Sequence, residues 1–168
     1  LAGLPIYNER EGAVLRTFCE QDDGREFAML NLVRLAPEKM PHPDTGALVP
    51  ARVVLEKYTR EFLPALLRRG GHPAIVARKI GGYLDSWNVE ADPGWTIIGY
   101  MRYRSRRDLM ILITDPRFSK SHSFKVAATP ITFSFPTSPQ LMLFLSPRIW
   151  VGLVLALAAA LTHLAVRG

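Results

Sequence analysis

Four histidines are the first side chains with the means to do chemistry: His42, His72, His122 and His163. No two stand at metal-ligand spacing, and no cysteine or carboxylate cluster completes a set, so no metal site is expected. His42 lies among prolines and His72 in a Gly-Gly-His-Pro turn, where a solvated ring is the simplest reading. His122 reads either as a general base at a cavity mouth or as a surface residue. Asn31 and Arg34 sit in one apolar run, and an inward arginine there would hold an anionic ligand through paired hydrogen bonds. Against that stands a wet Arg34 at the end of a strand. Tyr58 and Tyr100 read as packed rings with polar tips at a rim.

Arg102, Arg104, Arg106 and Arg107 form the densest basic cluster in the chain. No nucleic-acid module accompanies it, so nucleic acid is not an expected partner. Anionic lipid headgroups or an acidic protein surface suit it better, with a solvated face as the plain alternative. The net charge of +6 fits any of these. One cysteine, Cys19, allows no intrachain disulfide, fits a reducing compartment and reads as a small buried apolar residue.

The C-terminus carries the strongest signal. Residues 149–166 hold no charge, with Arg148 and Arg167 closing the ends and Trp150 just inside the first. At ~1.5 Å per residue the run spans about 27 Å, close to the ~30 Å hydrocarbon layer of a bilayer. A single-pass transmembrane helix at 149–167 is predicted. Gly152, Ala156 and Ala160 recur every four residues, a stripe that lets another membrane helix approach, although small residues are common in any span. His163 is the ionisable group inside the run. Its spacing from Ala159 resembles the pigment-ligating helices of bacterial light-harvesting polypeptides, set against a ring that reaches the interface or bonds a neighbouring helix. No other cofactor is expected. The first thirty residues lack a secretory pattern, so the N-terminal domain is expected on the cytoplasmic side.

About 140 residues remain before the span, enough for one domain and too few for two. Residues 1–25 read as an arm and a short helix over Glu9–Gln21, stopped by Asp22-Asp23-Gly24. A strand is predicted over Glu26–Leu35, a proline-rich loop over Ala36–Pro50, and a helix over Arg52–Arg69 kinked by Pro64. Strands follow at Ala74–Leu84 and Trp95–Tyr103. Ser105-x-x-Asp108 caps a short helix ending at Asp115-Pro116, and a further helical stretch is expected over Ser119–Ala128. Ile131–Phe135 alternates as a strand, and residues 137–148 form a proline-rich linker in which Leu141–Leu145 would lie at the interface. The order strand, helix, strand, strand, helix, strand over 26–136 is the α+β ferredoxin-like βαββαβ arrangement. One face of such a sheet is left apolar and needs a cover, from a second copy, another protein or membrane.

Met29-Leu30-Asn31-Leu32-Val33-Arg34, Tyr58 before a helix ending at Gly70-Gly71, Trp95 leading to Tyr100-Met101-Arg102-Tyr103, and Asp115-Pro116-Arg117-Phe118 stand in a familiar order. Over roughly Phe27–Phe135 the chain resembles the dimeric α/β-barrel superfamily, in particular a family of unknown function allied to the YCII-like and EthD-like proteins. The resemblance implies the fold and little about function, because that superfamily mixes monooxygenases, isomerases and dehalogenases with domains of no known chemistry. Relatives often carry a His-Arg pair after the Asp-Pro turn; Phe124 and Lys125 stand there in this chain.

Two functions compete. In the favoured one the chain is a non-catalytic accessory subunit of a membrane complex, respiratory or photosynthetic, docked through its basic domain and its helix. In the other it is a membrane-tethered enzyme or binding protein for a small molecule. The enzyme reading rests on Asn31, Arg34, Tyr58, Tyr100 and His122, with no third group to orient any of them. The favoured reading expects the cavity to be filled by the chain's own apolar side chains or by a partner.

Overall fold

A computed structural model of the chain describes residues 9–140 and 147–167, in two units, 1–138 and 139–168. The arm at 1–8 and the predicted interfacial stretch at 141–145 lie outside the described residues.

In the first unit, α1 (Glu9–Glu20) precedes β1 (Phe27–Arg34). The stretch expected as a plain loop contains a small hairpin, β2 (Lys39–Pro41) and β3 (Leu48–Pro50), turned by Gly46 at φ 69°. Helix α2 (Ala51–Arg68) starts directly after Pro50, whose fixed φ of −59° ends the strand and admits the helix. Pro64 lies inside this helix. Strand β4 (His72–Arg78) begins and ends earlier than the sequence predicts, with an irregularity between Pro73 and Ile75. The apolar residues after it, Ile80 and Leu84, are almost wholly exposed in the segment 79–96 that leads to β5 (Ile97–Tyr103).

Ser105 then caps α3 (Arg106–Ile113), its hydroxyl accepting from the Asp108 N–H, as predicted. Asp115 accepts from the Arg117 N–H and Pro116 takes the first turn of α4 (Pro116–Ala128), which therefore starts earlier than expected. Strand β6 (Ile131–Thr137) closes the unit. The four long strands form one antiparallel sheet in the order β4-β5-β1-β6, the ferredoxin-like arrangement.

Along β1 the side chains alternate. Phe27, Met29, Asn31 and Val33 turn toward the helices; Ala28, Leu30, Leu32 and Arg34 turn to the other face. The core gathers Phe27, Phe62, Leu66, Tyr103, Leu109, Leu112, Ile113 and Phe118 beneath α2, α3 and α4. Gly71 lets α2 hand over to β4, because a Cβ there would meet Leu66 and lie 2.7 Å from the Arg102 carbonyl oxygen.

In the second unit, α5 (Pro147–Arg167) is one continuous helix. Its segment Ile149–Val166 is long and apolar enough to cross a membrane, and it is exposed along its length. Gly152, Ala156 and Ala160 share one face of it by their spacing, and the Thr162 hydroxyl donates to the Ala158 carbonyl one turn back.

Candidate functional site

Between the sheet and helices α2 and α4 lies a cavity of about 420 Å³, which the chain's own apolar side chains do not fill. Its walls are mainly apolar, with Met29, Val33, Leu55, Phe62, Ile97 and Met101 among them. Exposed Arg52, Glu56, Thr59 and Val76 mark where it meets solvent, between α2 and edge strand β4. Gly99 forms part of the floor, where a Cβ would press to 3.1 Å from the Met101 methyl carbon.

Helix α4 supplies the polar wall. Its positions 118, 122 and 125 follow the four-then-three spacing that puts side chains on one helix face. Here those residues are Phe118, His122 and Lys125, and all three line the cavity. The neighbouring face, with the buried residues Ser121, Phe124 and Ala128, serves packing instead, Phe124 and Ala128 joining Val54 of α2 in a second core cluster. The His122 ring sits 5.9 Å from Tyr58, edge to face, and 5.5 Å from Phe118. Its Nδ1 is buried and meets no hydrogen-bond partner. Burial, and secondly the nearby Lys125 charge, push the His122 pKa down to about 4, so the imidazole is neutral at neutral pH. The Lys125 ammonium lies 5.9 Å from the centre of the Tyr58 ring, and burial lowers its pKa. Among the described residues it pairs with no carboxylate.

The other predicted site residues separate. Asn31 faces the cavity, but its amide nitrogen donates to the Met29 and Gly99 carbonyls at 3.1 and 3.3 Å. Its oxygen accepts from the Ser134 hydroxyl at 2.9 Å. It is therefore occupied in joining strands. Tyr58 stacks on Phe62 at 5.2 Å within the cavity wall. Arg34 turns to the opposite face of the sheet at the end of β1, beside Gly94, so it cannot converge with His122. Tyr100 also faces away and bonds Thr137. Of the five candidates for catalysis, only Asn31, Tyr58 and His122 share the cavity.

Lys125 was the residue that motif reading left without a role, apart from its place in the altered His-Arg pair. A lysine on a helix ordinarily reads as solvated. The available signal was its position three residues after His122 and seven after Phe118.

The basic cluster does not form one exposed surface. Arg102 is buried, its guanidinium donating to Glu26 and, at 2.6 Å, to the Gly70 carbonyl. Arg104 makes a two-point pair with Asp108 at 2.9 and 3.1 Å. Burial pushes the Asp108 carboxyl up, but the hydrogen bonds from Arg104 and Ser105 outweigh it and hold the pKa below the usual range. Arg106 donates to the Phe18 and Gln21 carbonyls and stacks 4.7 Å above the Phe18 ring, fastening α1 to α3. Arg107 alone has an exposed side chain with no such partner among the described residues.

The remaining histidines are not plainly solvated. His42 is half-buried, accepts from the Asp44 N–H and lies 5.9 Å from Phe124; His72 belongs to β4, with Nε2 buried and unpartnered. Cys19 is half-buried, and burial raises its thiol pKa. Among the described residues no three His, Cys, Asp or Glu side chains gather as metal ligands.

No family model matches the sequence, and no curated protein does. Solved structures do. A protein of unknown function from Rhodopseudomonas palustris is 22% identical and superposes with a TM-score of 0.63, over 81% of this chain and 96% of that one. The structure of its methylated form gives 0.67 at the same identity, over 82% and 96%. A dimeric protein of unknown function with a ferredoxin-like fold from Bacteroides fragilis is 15% identical, with a TM-score of 0.40 over 68% of this chain and 96% of that one. At these identities the likeness speaks for the fold alone.

Proposed function

We propose that the chain is a membrane-tethered binding protein for a small apolar molecule, with the ferredoxin-like unit holding the ligand and α5 holding the unit at a bilayer. One observation carries this reading: a cavity of about 420 Å³, apolar over most of its wall, whose polar wall includes an unpartnered His122 nitrogen and a Lys125 that pairs with no carboxylate among the described residues. Cavities of roughly 300–1,000 Å³ with a few placed polar groups are where proteins take small ligands. The resemblance to the dimeric α/β-barrel superfamily, which includes enzymes of small molecules, supports it. Binding, rather than catalysis, is the function assigned, because among the described residues no group bonds the His122 Nδ1 to orient the ring as a base.

The test is thermal unfolding of the full-length protein in lipid nanodiscs, with naphthalene and decanol as probes. A ligand that binds only the folded state raises the unfolding midpoint. Val76→Trp, an exposed change at the cavity mouth, serves as the blocked control. A rise in the wild type that is absent in Val76→Trp is expected. Equal responses of the two proteins would refute the reading.

A second reading, the accessory subunit, draws on the open sheet face. Phe133 and Phe135 there are 52% and 38% exposed, with rings 5.4 Å apart, and Ile75 is 45% exposed. An apolar face of this kind marks a contact surface. In that reading another membrane subunit covers the face, the Gly152, Ala156 and Ala160 stripe packs on its helix, and His163 bonds within the membrane. Arg107, the exposed arginine of its cluster without a side-chain partner among the described residues, would face anionic headgroups on the cytoplasmic side. Phe133→Ser with Phe135→Ser should then release co-purifying subunits from the full-length chain; unchanged recovery would count against it.

A further inference from the structure

We propose that the ligand of this cavity is an apolar monocarboxylic acid, its carboxylate set on the Lys125 ammonium and its hydrocarbon body along the Met29, Val33, Leu55 and Phe62 wall. The inference rests on the reading of the cavity as a ligand site and adds the chemistry of the ligand.

Charge counting comes first. Three ionic side chains line the cavity besides the neutral His122: Arg52, Glu56 and Lys125. Arg52 and Glu56 stand 3.8 Å apart on successive turns of α2, both well exposed, and balance each other at the mouth. Lys125 remains, half-buried against an apolar wall and, among the described residues, without a carboxylate partner. A buried cation without a counter-charge is costly, and an incoming anion removes that cost. One positive charge calls for one negative charge. A phosphate monoester, with close to two, would carry a second charge into the same apolar space without a partner.

Hydrogen bonding leads to the same chemistry. A carboxylate accepts through two oxygens. Lys125 serves one. The His122 Nδ1, buried and unpartnered, serves the other when it carries the proton of the neutral ring. Asn31 is unavailable, because its amide is bonded to strand carbonyls and to Ser134. The donors thus number two, on adjacent turns of α4; the His122 Nδ1 is closed off as the ring stands, so a turn of the ring must bring it to the acceptor. Beyond them the wall is methylene, thioether and ring. At about 30 Å³ for each small group, the space suits a body of roughly a dozen carbons.

The experiment titrates full-length protein in nanodiscs with four probes: dodecanoate, 2-naphthoate, dodecanol and dodecyl phosphate. The response of Val76→Trp is subtracted to remove partition into lipid. At least one of the two acids should bind ten times or more tighter than dodecanol and than dodecyl phosphate. Which acid does so separates a chain-like from a ring-like ligand. In Lys125→Met, an isosteric apolar change, the preference for the acid should vanish while dodecanol binding stays within twofold, showing an intact cavity. An alcohol or phosphate that matches both acids, or an acid preference that survives in Lys125→Met, overturns the inference and leaves the cavity a ligand site. If no probe distinguishes the wild type from Val76→Trp, the broader reading fails as well.

Discussion

The arginines after β5 and the lysine of α4 present the same kind of charge in opposite circumstances. Arg102, Arg104 and Arg106 each meet a carboxylate or a carbonyl, and Arg102 does so while buried. Lys125 lies over the face of Tyr58 and, among the described residues, pairs with no carboxylate. The dense cluster catches the eye in the sequence, yet most of it fastens β5 and α3 to their neighbours. The isolated lysine does not, yet it is the cation left unbalanced. Density of charge along a chain is thus a poor guide to a site; what matters is whether the fold supplies the counter-charge. A charge satisfied within the protein has little left to offer a ligand.

The contrast can be broken most forcefully at Arg102. Arg102→Ala removes a buried guanidinium and leaves the Gly70 carbonyl without its donor, while the exposed Glu26 carboxylate returns to water, and should cost about 2 kcal/mol of stability. Thermal unfolding of the full-length protein in nanodiscs would show it, and a midpoint within a degree of wild type would mean that the pair is not structural. Next comes pH. His122 has a pKa near 4 in the folded chain against 6.5 for the free side chain. The unfolded state therefore takes up a proton that the folded state refuses between these values. The stability from the neutral ring is complete above pH 6.5 and declines as pH falls toward 4. Allowing for partial solvent screening, about 1–2 kcal/mol should be lost, and His122→Gln should flatten that part of the profile. Parallel profiles for the two proteins would contradict it.

Lys125→Met should act in the reverse sense to Arg102→Ala. Replacing a half-buried cation that pairs with no carboxylate among the described residues by an apolar side chain of similar length should raise stability by about 0.5–1 kcal/mol. A loss instead would show that the folded chain already provides Lys125 with a partner. The smallest effect belongs to Arg107→Ala, an exposed change expected to stay within about 0.5 kcal/mol. A larger shift would place Arg107 with its three neighbours rather than apart from them.

The order of elements was readable because its punctuation is local. The Ser105-x-x-Asp108 cap, the Asp115-Pro116 break and the alternation of Ile131–Phe135 each act through nearest neighbours, although Asp115-Pro116 reads in the sequence only as the end of one helix and also starts the next. Two elements escaped for reasons equally physical. The β2-β3 hairpin has only three residues a side, each strand ending in a proline, so no period can develop. Strand β4 was placed too late because Ile80, Tyr83 and Leu84 look like strand residues although none is paired into the sheet. The site was half legible. His122 and Tyr58 were identified by type, but whether Arg34 joins them depends on which face of β1 it occupies, one residue of alternation away from Val33. The emptiness of a cavity depends on side-chain volumes across three elements distant in sequence, which no local pattern records.

Asn31 has a consequence beyond the cavity it lines. It is a polar residue at the middle of an apolar central strand, and it bonds to both flanking strands, β5 through Gly99 and β6 through Ser134. If β1 paired one residue out of step, Asn31 would turn to the open face and Leu30 or Leu32 would enter the helix side. Because both sides of this strand are rich in large apolar groups, burial alone separates the correct pairing from the shifted one only weakly. The amide separates them sharply, since only one alignment satisfies all its hydrogen bonds. Asn31 therefore acts as a register pin for the central strand, favouring the observed alignment over its shifted neighbours.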